Sequence, residues 1–120
     1  MNYELTLMIM SGIDDGTVRR YALQQSEGTL KGDTWVLTLG RNEDNDIMLR
    51  QDTFISRYHA QLRLRNGHWQ FEDLNSTNGS FQEDPTDFFN DLRIYGTIDL
   101  DLGQLFRVGR TWLAIGLSQG

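Results

Sequence analysis

The 120-residue chain has no cysteine, which excludes a disulfide framework and any thiolate metal centre and is compatible with a reducing compartment. It has one proline, so there is no proline-rich linker, and it shows no internal repeat or low-complexity tract. Long hydrophobic runs are missing too: the apolar stretch from Leu5 to Met10 is too short for a membrane span, and Met1–Glu4 lacks the basic start of a secretory leader. The expectation is a cytoplasmic protein with no membrane partner. Two glycosylation sequons, starting at Asn75 and Asn78, would then never meet their enzyme. Positive charge is scarce. A net charge of -6 argues against general affinity for nucleic acid, which rests on neutralising many backbone phosphates. A protein this acidic that binds an anion must concentrate its cations locally, and all of its basic residues except Lys31 are arginine.

What is present reads as many short strands and almost no helix. The length predicts a single domain over residues 1–120. Leu5–Met10 and Val18–Leu23 flank a turn containing Asp14-Asp15-Gly16, and Trp35–Leu39 ends at Gly40. Ala60, Leu62 and Leu64 alternate with polar residues, the period of a strand with one buried face, before Asn66-Gly67 turns the chain into Trp69–Leu74. Leu105–Val108 and Trp112–Leu117 pair around Gly109. The pattern predicts an all-β sandwich of two mainly antiparallel, twisted sheets with about eleven short strands. Trp35, Trp69, Trp112, Phe71 and Phe106 are its expected core anchors. The segment 82–90 is expected to be an irregular insertion in which Phe88 and Phe89 pin a loop or short helical turn to the sandwich edge. Arg63 and Arg65 are expected to solvate outer strand faces.

Three segments at loop positions carry chemistry: Gly40-Arg41, Ser56-Arg57-Tyr58-His59 and Asn75-Ser76-Thr77-Asn78-Gly79-Ser80. Arginine presents a planar fork of donors to an oxyanion, serine and threonine add hydroxyls, and an Asn-Gly turn can aim backbone N–H groups at the same oxygens. Each segment also has a plainer reading. Arg41 can pair with Glu43, Asp44 or Asp46, and Thr77-Asn78-Gly79 has the composition of an ordinary polar turn. A hydrolase built on Ser56 and His59 lacks an orienting acid and a nucleophile-elbow glycine pattern. Asp44-Asn45-Asp46 and Asp99-Leu100-Asp101 lack the glycine and distal glutamate of a calcium loop and read as solvated turns, so neither a metal nor another cofactor is expected.

Taken in order, the three segments resemble the forkhead-associated (FHA) family, from about Leu5 to Leu117. The resemblance implies a β-sandwich with paired terminal strands, and a non-enzymatic module that binds phosphothreonine in partner proteins marked by Ser/Thr kinases. It implies contacts to the phosphopeptide from Arg41, Ser56, Arg57, Thr77 and Asn78. Gly40, His59 and Gly79 would support the site, the histidine by tying loops together. In the family, residues near the second segment help select the side chain three places after the phosphothreonine. An exposed Phe54 would favour an aliphatic residue there; if Phe54 points into the core instead, Arg50 or the segment 82–90 sets the selectivity. The rival reading is an assembly module with the same fold that docks a partner without phosphate.

Overall fold

Leu5, Leu7 and Ile9 are each at most 2% exposed while their neighbours are half-buried, the alternation that places one face of a strand in a core. The structure, a computed structural model describing residues 2–117, repeats this pattern through an all-β sandwich. Its strands are β1 (Glu4–Ile9), β2 (Val18–Ala22), β3 (Thr29–Lys31), β4 (Thr34–Gly40), β5 (Ile47–Met48) and β6 (Ala60–Arg65). They continue as β7 (His68–Asp73), β8 (Ser80–Asp84), β9 (Asp87–Arg93), β10 (Thr97–Leu100), β11 (Phe106–Val108) and β12 (Thr111–Gly116). Among the described residues a single 3-10 turn is present, spanning Leu23–Gln25.

One sheet runs β2-β1-β12-β11-β8-β9, the other β10-β7-β6-β4-β3, with two-residue β5 alongside β4 in parallel. The expected hairpin at Asn66-Gly67 is present, with both turn residues at positive φ and Arg65 opposite His68. The terminal strands pair as expected, Thr6 opposite Gly116 through Ile9 opposite Leu113. The inner faces meet around Trp35, Leu37, Leu62, Phe71 and Phe106, each fully buried, and the Phe71 and Phe106 rings pack 5.3 Å apart. Each such side chain contributes roughly 1.5–3 kcal/mol relative to exposure.

There are twelve strands among the described residues, in line with the expected all-β sandwich; the short β3 and β5 carry too few residues to show a period. Three sequence expectations need correction. Trp112 is only partly buried: Leu113 and Ile115 take the inner face of β12, so the pleat turns Trp112 outward, with the Arg107 guanidinium 5.6 Å from its ring. Segment 82–90 is not a pinned loop but most of the β8–β9 hairpin, turning at Pro85-Thr86 where Asp84 accepts the Thr86 N–H at 2.9 Å. Phe88 and Phe89 pin nothing; they are 97% and 94% exposed. Asp44-Asn45-Asp46 is not merely solvated either. Asp46 accepts hydrogen bonds from the Gly28 and Thr38 amides, and Asn45 is buried. Arg63 and Arg65 lie on outer faces as expected, paired with Glu72 and Asp33.

Candidate functional site

Three loops meet at one end of the sandwich, and main-chain groups hold them together. The β4–β5 loop joins the β5–β6 loop through Arg41 N–H to Ser56 O (3.0 Å) and Asn42 N–H to Arg57 O (3.2 Å). Buried Asn45 reinforces the seam by donating to the Asn42 and Arg57 carbonyls at 2.9 and 2.7 Å. Gly40 is required by this approach and not by an unusual φ: a Cβ there would sit 2.1 Å from Arg57 O. Gly79, by contrast, turns the β7–β8 loop at φ +87°, a conformation L side chains rarely adopt.

Arg41 does not pair with the acids near it. Its Nε–H donates to Ile55 O at 3.0 Å, which leaves both terminal nitrogens without an acidic partner among the described residues. One residue further on, Ser56 Oγ accepts the Thr77 N–H at 3.1 Å, so its own hydrogen remains available to donate outward. Thr77 and Asn78 are exposed. Asn78 Nδ2 donates to Phe54 O at 3.0 Å, which fixes the carboxamide and leaves Oδ1 as a free acceptor. The Arg57 side chain is exposed and unpaired among the described residues, while its carbonyl is locked from below. Arg41, Ser56, Thr77 and Asn78 are thus tied to one stretch, Phe54–Ser56, and Arg57 follows it directly.

His59 lies under this surface with no exposed area. Its Nδ1 accepts the Ser56 N–H at 3.0 Å, so the proton sits on Nε2, which donates to Gly79 O at 3.1 Å with Ser80 Oγ at the same distance. Burial lowers its pKa below the ordinary 6.5, against the opposing pull of Asp73, and keeps the ring neutral. Burial alone would raise Asp73, but hydrogen bonds from Ser76 and Ser80 outweigh it and hold the carboxyl below the usual range.

Two contributors went unnoticed in the sequence. Asp52 accepts from Phe54 N–H, Arg110 N–H and Thr111 Oγ–H at 2.7–2.9 Å, clamping the β5–β6 loop to the β11–β12 turn. That turn sets the Arg110 guanidinium 3.6 Å over the Phe54 ring. Beside them is a recess of about 210 Å³, with Ile9 and Leu49 among its apolar walls and Arg19, Arg50 and Arg110 among its cations. Asp52 and Arg110 stand 58 residues apart, and no local pattern connects them.

A family model described as FHA domain matches residues 37–109, the span holding all three loops. The chain belongs to the FHA-domain family. The FHA domain-containing protein FhaB of Mycobacterium tuberculosis is 31% identical over 101 residues, covering 78% of this chain and 60% of FhaB. The glycogen accumulation regulator GarA of Mycolicibacterium smegmatis is 43% identical over 49 residues, covering 40% of this chain and 30% of that protein. The chain therefore spans less than two thirds of these relatives. Among solved structures, Mycobacterium tuberculosis EmbR in complex with a low-affinity phosphopeptide superposes with a TM-score of 0.66 at 25% identity, covering 98% of this chain and 25% of EmbR. The FHA family is one of binding modules. No cluster of three or more potential metal ligands occurs among the described residues, nor any helix long and apolar enough to cross a membrane.

Proposed function

We propose that the chain is a single phosphothreonine-reading module, without catalytic activity of its own, that docks partner proteins marked by a Ser/Thr kinase. One observation carries this reading. Arg41 is anchored through Nε to Ile55 O, beside the Ser56 hydroxyl, with its terminal nitrogens unspent. The acids near it in sequence are engaged elsewhere, Glu43 with Arg50, Asp44 with Asn42 and Tyr58, and Asp46 with the Gly28 and Thr38 amides. In this reading Arg41 supplies a charge-assisted fork, Ser56 and Thr77 donate hydroxyls, Arg57 adds a second cation at the rim, and Asn78 Oδ1 accepts an N–H of the peptide backbone. Phosphothreonine carries about -1.5 to -2 charges at neutral pH, and each charge-assisted bond is worth roughly 1.5–3 kcal/mol before desolvation and ordering. A few such bonds are enough for micromolar affinity, about -8 kcal/mol.

A non-catalytic role is supported by the state of the one candidate pair. Ser56 Oγ is bonded to Thr77 N–H, and the His59 nitrogen on that side accepts the Ser56 main-chain amide. No base faces the hydroxyl. The alternative, phosphate-independent docking, leaves the unpaired Arg41 and Arg57 side chains without a task. Titrating a phosphothreonine peptide library against its unphosphorylated twin separates the two: binding confined to the phosphorylated set supports the reading, and equal binding rejects it.

The Phe54 expectation changes. The ring is half-buried and its face is capped by Arg110, so a cation covers the apolar surface beside the site, with Arg50 exposed nearby and 3.8 Å from Glu43. That supports selection of an acidic side chain after the phosphothreonine in place of an aliphatic one.

A further inference from the structure

The β8–β9 hairpin lies outside the phosphate site. Ser80, where β8 begins, is next to His59, whereas its turn at Pro85-Thr86 is a strand length away, about 15 Å at roughly 3.3 Å per residue. The other elements agree: β10 begins at Thr97 opposite Glu72, on the side of the site, and ends at Leu100 opposite Trp69. Far from the site, then, the hairpin and the β10–β11 loop enclose a groove of about 560 Å³ lined by Glu83, Asp84, Asp87, Phe88, Asp101 and Leu105.

Two things about this region call for a partner. β9 is an edge strand, and Phe88 and Phe89 stand on it almost wholly in water although each ring would gain about 1.5–3 kcal/mol on burial. The surroundings are uniformly negative: among the described residues, the hairpin's Glu83, Asp84 and Asp87 and the neighbouring Asp101 meet no cation, and Asp91 alone has one, Arg107 at 3.3 Å.

These features select the occupant. An added strand is disfavoured because β9 is bulged between its pairings at Gln82 and Asp84 and bears aspartates along its length. A second copy of the chain would set carboxylates against carboxylates. A cationic partner fits, and the outer face of the same hairpin shows the chemistry: the Arg107 guanidinium lies 4.0 Å over the Phe81 ring while pairing with Asp91. Nearer the turn, Phe88 and its neighbouring carboxylates supply the same ring and oxygens. We propose that the hairpin and its groove dock an arginine-rich segment of a partner protein, its guanidinium groups stacking on Phe88 and Phe89 and pairing with Glu83, Asp84, Asp87 and Asp101. Arginine suits the surface better than lysine because its planar group stacks and forks at once. The proposal does not depend on phosphate recognition. A partner carrying both a phosphothreonine and such a segment engages opposite ends of the domain, and the second contact becomes intramolecular.

The test is a titration of the 120-residue chain, at physiological salt, with a fluorescent unphosphorylated peptide of alternating glycine and arginine, and with its lysine and citrulline counterparts. The arginine peptide is expected to bind at least about tenfold more tightly than either counterpart, and the paired Phe88→Ala/Phe89→Ala variant to lose at least about tenfold. Asp84→Asn/Asp87→Asn should lose a similar factor, and Arg41→Ala should leave this binding unchanged. The substituted phenylalanines are exposed, so thermal melts of these variants should match the parent. Absence of binding overturns the proposal. So does equal binding of arginine and lysine peptides that ignores the Phe88/Phe89 substitution, which is diffuse charge attraction only. Sedimentation showing a homodimer that the same substitution dissolves assigns the surface to a second copy and overturns it too.

Discussion

The Ser56 main-chain N–H donates to Nδ1 of His59 at 3.0 Å, and this bond settles the tautomer of a fully buried imidazole. With Nδ1 occupied as an acceptor, Nε2 must carry the proton that Gly79 O receives. The ring therefore spans from the second recognition segment to the end of the third without meeting solvent. In the proposed reading, its contribution to recognition passes through the placement of Ser56.

His59→Ala leaves the Ser56 amide without its partner, at about 1–3 kcal/mol for a buried unsatisfied group, and the Gly79 carbonyl with only the long bond from the Gly109 N–H at 3.4 Å. Its melting temperature should fall, with affinity falling as a consequence. Thr77→Ala should weaken phosphopeptide binding at an unchanged melting temperature, and Ser56→Ala should do so with only a small loss from its exposed bond to Thr77. Calorimetry paired with thermal melts distinguishes the patterns. A fully stable His59→Ala that loses binding would make the histidine a ligand contact.

The same geometry fixes the sign of a pH dependence. A proton added to Nδ1 would face the Ser56 N–H, donor against donor, and burial already lowers the histidine pKa from 6.5. The unfolded chain thus takes up this proton first as pH falls. The stability tied to His59 is intact above 6.5 and is lost as pH drops from there through the lowered folded value. Denaturant midpoints measured across that window should decline in the parent and be flatter in His59→Gln.

Arg41→Ala should reduce phosphopeptide affinity at least about tenfold, since a charge-assisted bond is worth more than 1.4 kcal/mol. The bond to Ile55 O is also lost, a stability change of about 1 kcal/mol. Arg41→Lys should recover affinity only in part, because a point charge cannot reproduce the fork. Unchanged binding by a folded Arg41→Ala protein would remove Arg41 from the site.

Gly40→Ala tests the seam beneath Arg57. A methyl group 2.1 Å from the Arg57 carbonyl forces the β4–β5 and β5–β6 loops apart, an overpacking cost of about 1–3 kcal/mol. Affinity should fall together with melting temperature, and amide resonances of Asn42 and Arg57 should shift first. A variant with parental stability and binding would show that the two loops need no close approach.

An oriented phosphothreonine library should enrich aspartate or glutamate at the third position after the phosphorylated residue. Arg110→Ala should uncover the Phe54 ring and shift preference toward leucine, isoleucine or valine by roughly 1–2 kcal/mol, the value of burying part of one apolar side chain. Aliphatic enrichment in the parent, unaffected by Arg110→Ala, would return the selecting role to the ring itself.

The sequence disclosed what local chemistry controls. Alternation in β6, the Asn66-Gly67 turn and the glycine at 79 all report constraints felt within a few residues. The three loop segments stood out only when taken in order, since each alone has the composition of an ordinary polar turn. Contacts that exist only after folding were hidden. Asp52 and Arg110 are brought together by the packing of a loop onto a distant turn, and Asn45 is buried only because two loops close over it. Trp112 misled because an unbroken apolar run, Trp112–Ile115, does not reveal which residues the pleat turns inward. Phe88 and Phe89 misled in the same direction, since hydrophobic character does not by itself mean burial.

The bonds that place the recognition loops mostly end on main-chain atoms: the carbonyls of Phe54, Ile55, Ser56, Arg57 and Gly79, and the amides of Ser56 and Thr77. Carbonyls and amides are common to nearly every residue type. The exposed side chains of Arg57 and Thr77 can therefore be randomised while Gly40, Asn45, Asp52 and His59 are kept, without loosening the framework that presents them. The domain is built as an exchangeable reading head on a fixed mount, and new ligand preferences should be obtainable from a display library confined to those positions.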